Sequence, residues 1–155
     1  MKIVDGKDRI DDIRMLVKEY TDWIGLDLSF QNLEDELADP AAKYTPPKGE
    51  LLLADEDGEP AGMVAYTKHT EERCEMKRLY VRPAYRGTGI GRELAADIIG
   101  RAKEAGYKEM VLDNLSFMED AYRMYEMFGF RECEPYYDNP IPGTRYMKLV
   151  FDDQE

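Results

Sequence analysis

The turn Arg86-Gly87-Thr88-Gly89-Ile90-Gly91, followed by Arg92, is the part of this sequence best equipped to hold an anion. Residues 76–92 carry five basic side chains and no acidic one, inside a chain of 155 residues whose net charge is −12. Ile90, Leu94, Ile98 and Ala102 recur every four positions, so a helix begins at the turn. The first N–H groups of such a helix have no acceptor within it, and together with the positive end of the helix dipole they converge on one place. Glycines at 87, 89 and 91 let the backbone come close to a bound anion. Two familiar anion sites are disfavoured. A P-loop needs Lys-Ser or Lys-Thr after its last glycine, and here Arg92-Glu93 follow Gly91, which argues against a nucleoside triphosphatase. The dinucleotide fingerprint needs a third glycine where this chain has Arg92 or Leu94.

Other chemistries have less to work with. Cys74 and Cys133 are the only thiols and His69 the only imidazole, too few for a disulfide framework or a Cys/His zinc site, so no metal is expected. His69 and Cys74 fall on neighbouring predicted strands and form the rival nucleophilic pair, but no third group orients them, and Cys74 reads as a small packing residue. The acidic balance opposes binding to nucleic acid or an anionic membrane. No run approaches the roughly 20 apolar residues that cross a bilayer, and the opening MKIVDGKDRI is charged where a signal peptide is apolar. A cytoplasmic chain with reduced thiols is the expectation.

The elements that must position these residues follow from periodicity. A length of 155 residues suits one domain spanning 1–155, burying about 70% of the surface the unfolded chain exposes. Residues 2–4 predict a short strand and 8–20 a helix with Ile10, Ile13, Leu16 and Val17 on one face. A second short helix is expected around Phe30, Leu33 and Leu37, and a proline-rich loop over 40–49. Residues 51–54 and 63–67 predict two antiparallel strands joined at Asp57-Gly58, and 74–81 a third. After the helix from Gly89 to its stop at Gly106 come a strand at 110–112, a helix over 119–128 closed by Gly129, and a last strand at 146–151. Strand, glycine-rich turn, helix and strand over 74–112 form a βαβ unit with two parallel strands, in a mixed α/β fold.

Arg-x-x-Gly-x-Gly after a strand ending Leu79-Tyr80-Val81-Arg82-Pro83 resembles the pyrophosphate-binding motif of the GNAT superfamily of acetyl-CoA-dependent N-acetyltransferases. The segment Tyr125-Glu126-Met127-Phe128-Gly129-Phe130 matches the family's Tyr-x-x-x-Gly-Phe at the expected place, so the resemblance spans essentially the whole chain. DLSFQ (27–31), KYTPPKG (43–49), CEMKRLYVRP (74–83) and PYYDNPIPG (135–143) look like one bacterial branch of small single-domain members.

This resemblance implies a central, mostly antiparallel sheet with a parallel, splayed pair in the middle, flanked by helices. It implies acetyl-CoA as co-substrate, its diphosphate on the amides of Arg86, Gly87, Thr88, Gly89, Ile90 and Gly91, with Arg86 and Arg92 adding charge. The pantetheine arm would lie along Leu79, Tyr80 and Val81, pairing with the strand as an added strand would. It further implies Glu75, eleven residues before Arg86, as general base, and Tyr125 as the acid that protonates the leaving thiolate. The proton arithmetic calls for both. An alkylamine of pKa near 10.4 costs about 3.4 units, roughly 4.6 kcal/mol, to present neutral at pH 7, so a base or a water chain is required. A phenol near 10 protonates a thiolate whose acid is near 8.5 uphill, by about 2 kcal/mol. On a helical wheel Tyr125 falls between Ala121 and Phe128 on the inward face, and Tyr122 further out. One departure stands out: Met118 occupies the place of the asparagine that commonly contacts the cofactor, so that interaction is either missing or supplied by Ser116.

The acceptor is expected to be a primary amine of a small molecule or a peptide, acetylated directly from the thioester. Trp23, Phe30, Tyr136 and Tyr137 are the candidate wall for it. A non-catalytic acyl-CoA-binding regulatory module is the alternative reading, and either a monomer or a homodimer is compatible with the chain.

Overall fold

The computed structural model describes residues 1–25 and 49–151. The expected helix around Phe30 and nearly all of the proline-rich loop therefore lie outside the described residues. Seven strands form one sheet: β1 (Lys2–Asp5), β2 (Glu50–Glu56), β3 (Glu59–Lys68), β4 (Arg73–Val81), β5 (Glu109–Asn114), β6 (Arg131–Glu132) and β7 (Arg145–Val150). Their order is β1-β2-β3-β4-β5-β7-β6, antiparallel everywhere except β4 against β5. The helices are α1 (Ile10–Ile24), α2 (Ile90–Glu104) and α3 (Glu119–Phe128). The fold is the mixed α/β sheet with one central parallel pair that the sequence implied.

The two faces of the sheet are covered by different helices. Ile13, Leu16 and Val17 of α1, all at most 2% exposed, pack with Leu51, Leu53, Met63 and Ala65. Burial of aliphatic side chains of this size stabilises by about 1.5–3 kcal/mol each. On the other face, Leu94, Ile98 and Ala102 of α2 and Tyr125 of α3 share a core with Val64, Cys74, Met110 and Leu112. α1 begins later and runs longer than its apolar spacing predicts: a 3-10 turn, Gly6–Arg9, precedes it, and Gly25, left-handed at φ 70°, ends it with its N–H on Thr21 O. The two-residue β6 is too short to leave a periodic signature.

The feature that opens the sheet is in β4. Met63 pairs with Tyr80 and Ala65 with Lys77, so β4 spends one more residue than β3 over this stretch. Arg78 lies there at φ 62°, in the left-handed region, and only 5% exposed. Such a bulge bends its strand and increases the local twist. Gly62 accommodates it, because a Cβ at that position would stand 2.7 Å from Tyr80 O. β4 and β5 are paired only at Arg73–Glu109, Cys74–Met110 and Glu75–Val111. Beyond these pairs β4 continues to Val81 and β5 to Asn114 without facing each other in a ladder, which is the splay.

Candidate active site

A cleft of about 670 Å³ follows the splay, within the range of roughly 300–1,000 Å³ usual for small-molecule sites. Leu79 and Val81 of β4 form one wall, Leu112 of β5 and Met124 of α3 the other, and the start of α2 closes one end. Of the residues expected to hold the carrier, all but Thr88 line it. Thr88 instead donates its hydroxyl to Tyr85 O at 2.6 Å and holds the turn.

The cradle at the start of α2 is a backbone construction. Gly87 and Gly89 sit at φ 80° and 90°, where side chains are strained. Glu93 N donates to Gly89 O, so the amides of Ile90, Gly91 and Arg92 have no acceptor inside the helix. A Cβ on Gly91 would project toward Val81, 3.5 Å from its Cγ2. The cradle thus has donors, a favourable dipole and the space that an anion needs. Arg86 is held rather than free: its Nε donates to Val81 O at 2.9 Å, and its guanidinium lies 4.8 Å from the ring of Trp23 and 5.6 Å from that of Tyr80. Burial and the hydroxyl's bond to Glu19 push the Tyr80 phenol up to about 12.

Tyr125 is the one buried residue of α3, 7% exposed, and it lines the cleft. Its ring packs on Phe130 with centroids 5.6 Å apart. The hydroxyl forms no hydrogen bond with the described residues. Burial first, then the charges of Tyr20 and Asp113, raise its pKa above the ordinary phenol value, so it stays protonated. Tyr122 projects to the surface, as the helical wheel implies, and donates to Glu132. Met118 lines the cleft where the family's asparagine would be, and the buried Asn114 donates to Met118 O at 3.1 Å. Ser116 is exposed and does not line the cleft.

The remaining expected residues separate into two places. Trp23 lies at the mouth, 43% exposed, with Phe117 opposite it at 6.0 Å between centroids. Tyr136 and Tyr137 pack instead behind the splay, on the α1 face. Tyr136 donates to Glu75 Oε2 at 2.6 Å, and Tyr137 donates to Asp113. Both phenols are raised, by burial first and then by the charge of the carboxylate each one meets. Neither these tyrosines nor Glu75 line the cleft, and Phe30 is outside the described residues. The rival pair does not form: Cys74 is fully buried on the α2 face with its thiol pushed up to about 12 by burial, while exposed His69 packs on Tyr136. Among the described residues no group of three or more His, Cys, Asp or Glu side chains could hold a metal ion, and no helix is long and apolar enough to cross a membrane.

Sequence reasoning passed over Asp113 and Phe117, both of which line the cleft. A signal for Asp113 existed. Met110 and Leu112 face the α2 core, so alternation turns Asp113 to the opposite face.

Comparison with known proteins agrees with this geometry. The acetyltransferase (GNAT) family profile matches residues 11–130. An uncharacterised N-acetyltransferase of Schizosaccharomyces pombe is 50% identical over 90% of this chain and 87% of its own length. Another from Dictyostelium discoideum is 30% identical over 96% of this chain and 98% of its own, so the resemblance reaches beyond bacteria. The crystal structure of an aminoglycoside 6'-N-acetyltransferase complexed with coenzyme A superposes with TM-score 0.74 at 14% identity, covering 100% of this chain and 99% of that one, and shares the fold.

Proposed function

This chain belongs to the acetyltransferase (GNAT) family, and from its cleft we infer that it moves the acetyl group of acetyl-CoA directly onto a primary amine. The observation that carries this reading is a cleft lined by the glycine cradle, by β4 and β5, and by Tyr125. Acetyl-CoA supplies an activated acyl carbon. The amides of Ile90, Gly91 and Arg92 are suited to its diphosphate, and the edge of β4 around Leu79, which β5 leaves unpaired, to the amide groups of its arm.

Tyr125 serves as the proton donor to the departing sulfur. Its raised pKa does not forbid this, because burial also raises the proton affinity of a thiolate in the same surroundings. The Cys74 thiol, raised by burial in the neighbouring core, shows the direction of that effect. What Tyr125 contributes is position: its hydroxyl has no competing partner among the described residues, and its ring packs on Phe130. Glu75, the base expected from the sequence, stands at the last position of β4 that pairs with β5 and holds Tyr136. The acceptor side is the α1 face, where the negative chain favours a cationic amine.

Calorimetric titration with acetyl-CoA should show a single site per chain. Thiol release measured over a panel of simple primary amines should depend on the amine, with no burst when acetyl-CoA is added alone, as sequential transfer requires. Failure of acetyl-CoA to associate would overturn the reading.

A further inference from the structure

Building on the acetyl-transfer reading, we propose that Asp113 is the carboxylate that receives the acceptor's ammonium and accepts its proton. Glu75 and Asp113 are carried by the two strands of the splayed pair, but at different depths. Glu75 faces Val111 in the last closed pair, whereas Asp113 lies two residues further along β5, on the open wall, and lines the cleft. Glu75 is occupied by the hydroxyl of Tyr136 and is absent from the lining.

The surroundings of Asp113 prepare it for a cation. Its Oδ2 accepts the Tyr137 hydroxyl and, at 3.0 Å, Asn139 Nδ2, which also contacts Tyr137 Oη at 2.9 Å. Asn139 is itself fixed: its Oδ1 accepts Ile141 N at 2.9 Å, and its own N–H donates to Tyr146 Oη at 3.1 Å. Oδ1 of Asp113 takes no hydrogen bond from the described residues, and no lysine or arginine among them pairs with this carboxylate. A carboxylate held by neutral donors on one oxygen, on a residue that lines the cleft, lacks the positive partner that an ammonium would supply. Around it stand Glu75 on β4, Tyr136 and Tyr137 on the loop before β7, Tyr146 on β7 and Tyr125 on α3, and Lys77 and Arg78 of β4 line the same cleft. Tyr125 lines the same cleft as Asp113, whose charge is among the causes that raise its phenol.

The step balances. One proton of the ammonium passes to Asp113 Oδ1 and on to solvent, leaving a neutral amine. The nitrogen lone pair forms the new N–C bond at the acyl carbon, the C–S bond breaks, and sulfur takes the proton of Tyr125. The second proton released from nitrogen restores the Tyr125 phenol. Tyr137 and Asn139 are positioning residues.

Asp113→Asn keeps an oxygen for Tyr137 and tests the assignment directly. With the best amine of the panel, kcat/KM should fall by about 100-fold or more, the low-pH limb of its profile should vanish, and acetyl-CoA affinity should hold. Tyr137→Phe combined with Asn139→Ala should lower kcat and retain that limb. Glu75→Gln should lower the melting temperature through Tyr136 and also retain the limb. The assignment is overturned if D113N keeps the limb or more than about a tenth of wild-type kcat/KM, or if E75Q alone erases the limb. Where no amine of the panel is turned over, butylammonium is titrated onto CoA-bound protein labelled with 13C at the aspartate carboxyl carbons. The signal missing from D113N should move, and a static signal overturns the assignment. A wild type that binds no acetyl-CoA sinks the transferase reading itself, whereas an active wild type beside an equally active D113N sinks only the role of Asp113.

Discussion

The two ends of the cleft are made from different materials. The end proposed for the carrier is main chain: glycines at positive φ, the first amides of α2, and the edge of β4 that β5 leaves unpaired. The end proposed for the acceptor rests on side chains: Asp113 in the lining, tied to Tyr137 behind it, and, outside the lining, Glu75 tied to Tyr136, pairs separated by 24 and 61 residues in sequence. A backbone site tolerates variation in neighbouring side chains and suits a ligand that never changes. A side-chain network can be altered one residue at a time, which suits an acceptor that differs from relative to relative.

If that division is right, substitutions at the two ends fail differently. The largest effect belongs where the ends meet. Tyr125→Phe is expected to lower kcat about 100-fold while acetyl-CoA affinity, measured by calorimetry, stays near wild type; an equal loss in both would make Tyr125 a binding residue. Next, Gly89→Ala forces a side chain onto φ 90° at the cradle. A strain of about 1–3 kcal/mol should weaken acetyl-CoA binding roughly 10-fold and leave the acceptor's KM little changed. At the opposite end, Tyr136→Phe removes the bond to Glu75 and should raise the acceptor's KM several-fold, with a loss of about 1 kcal/mol in denaturant stability and no change in acetyl-CoA affinity.

The smallest effect is a control outside the cleft. Asp55 accepts from Arg9 at 2.5 Å and from Gly58 N at 2.7 Å. The Arg9 guanidinium first, and the Gly58 amide second, hold this carboxyl below its ordinary range. A group depressed in the folded state adds stability above its unfolded pKa, near 3.9, and loses it as pH falls through the folded value. Thermal melts of Asp55→Asn should therefore lie a few degrees under wild type at neutral pH and converge with it in acid, with turnover unaffected throughout.

The contrast between the two ends also explains how much the amino-acid sequence could disclose. Helix α3 was readable to its last residue because Gly129, at φ 104°, stops it, and the cradle because charge, glycines and apolar period change together at one point. The parallel pair followed from strand, turn, helix and strand. The bulge was not readable, since Arg78 has no glycine to advertise its positive φ. Nor were the ties of Tyr136 and Tyr137, whose partners are brought near only by the assembled sheet. Trp23, expected at the acceptor wall, lines the cleft and also meets Arg86, a contact that depends on α1 continuing to Ile24.

The extra residue in β4 makes chain length at this point matter more than residue type. Removing Arg78 would leave Lys77, Leu79, Tyr80 and Val81 on the sides they already occupy, because the inserted residue alone breaks the alternation and its neighbours resume it. The product would be an unbroken ladder against β3, without the extra residue beside which the cleft opens. Shortening by a single codon thus changes the shape of this edge while every neighbouring side chain keeps its face.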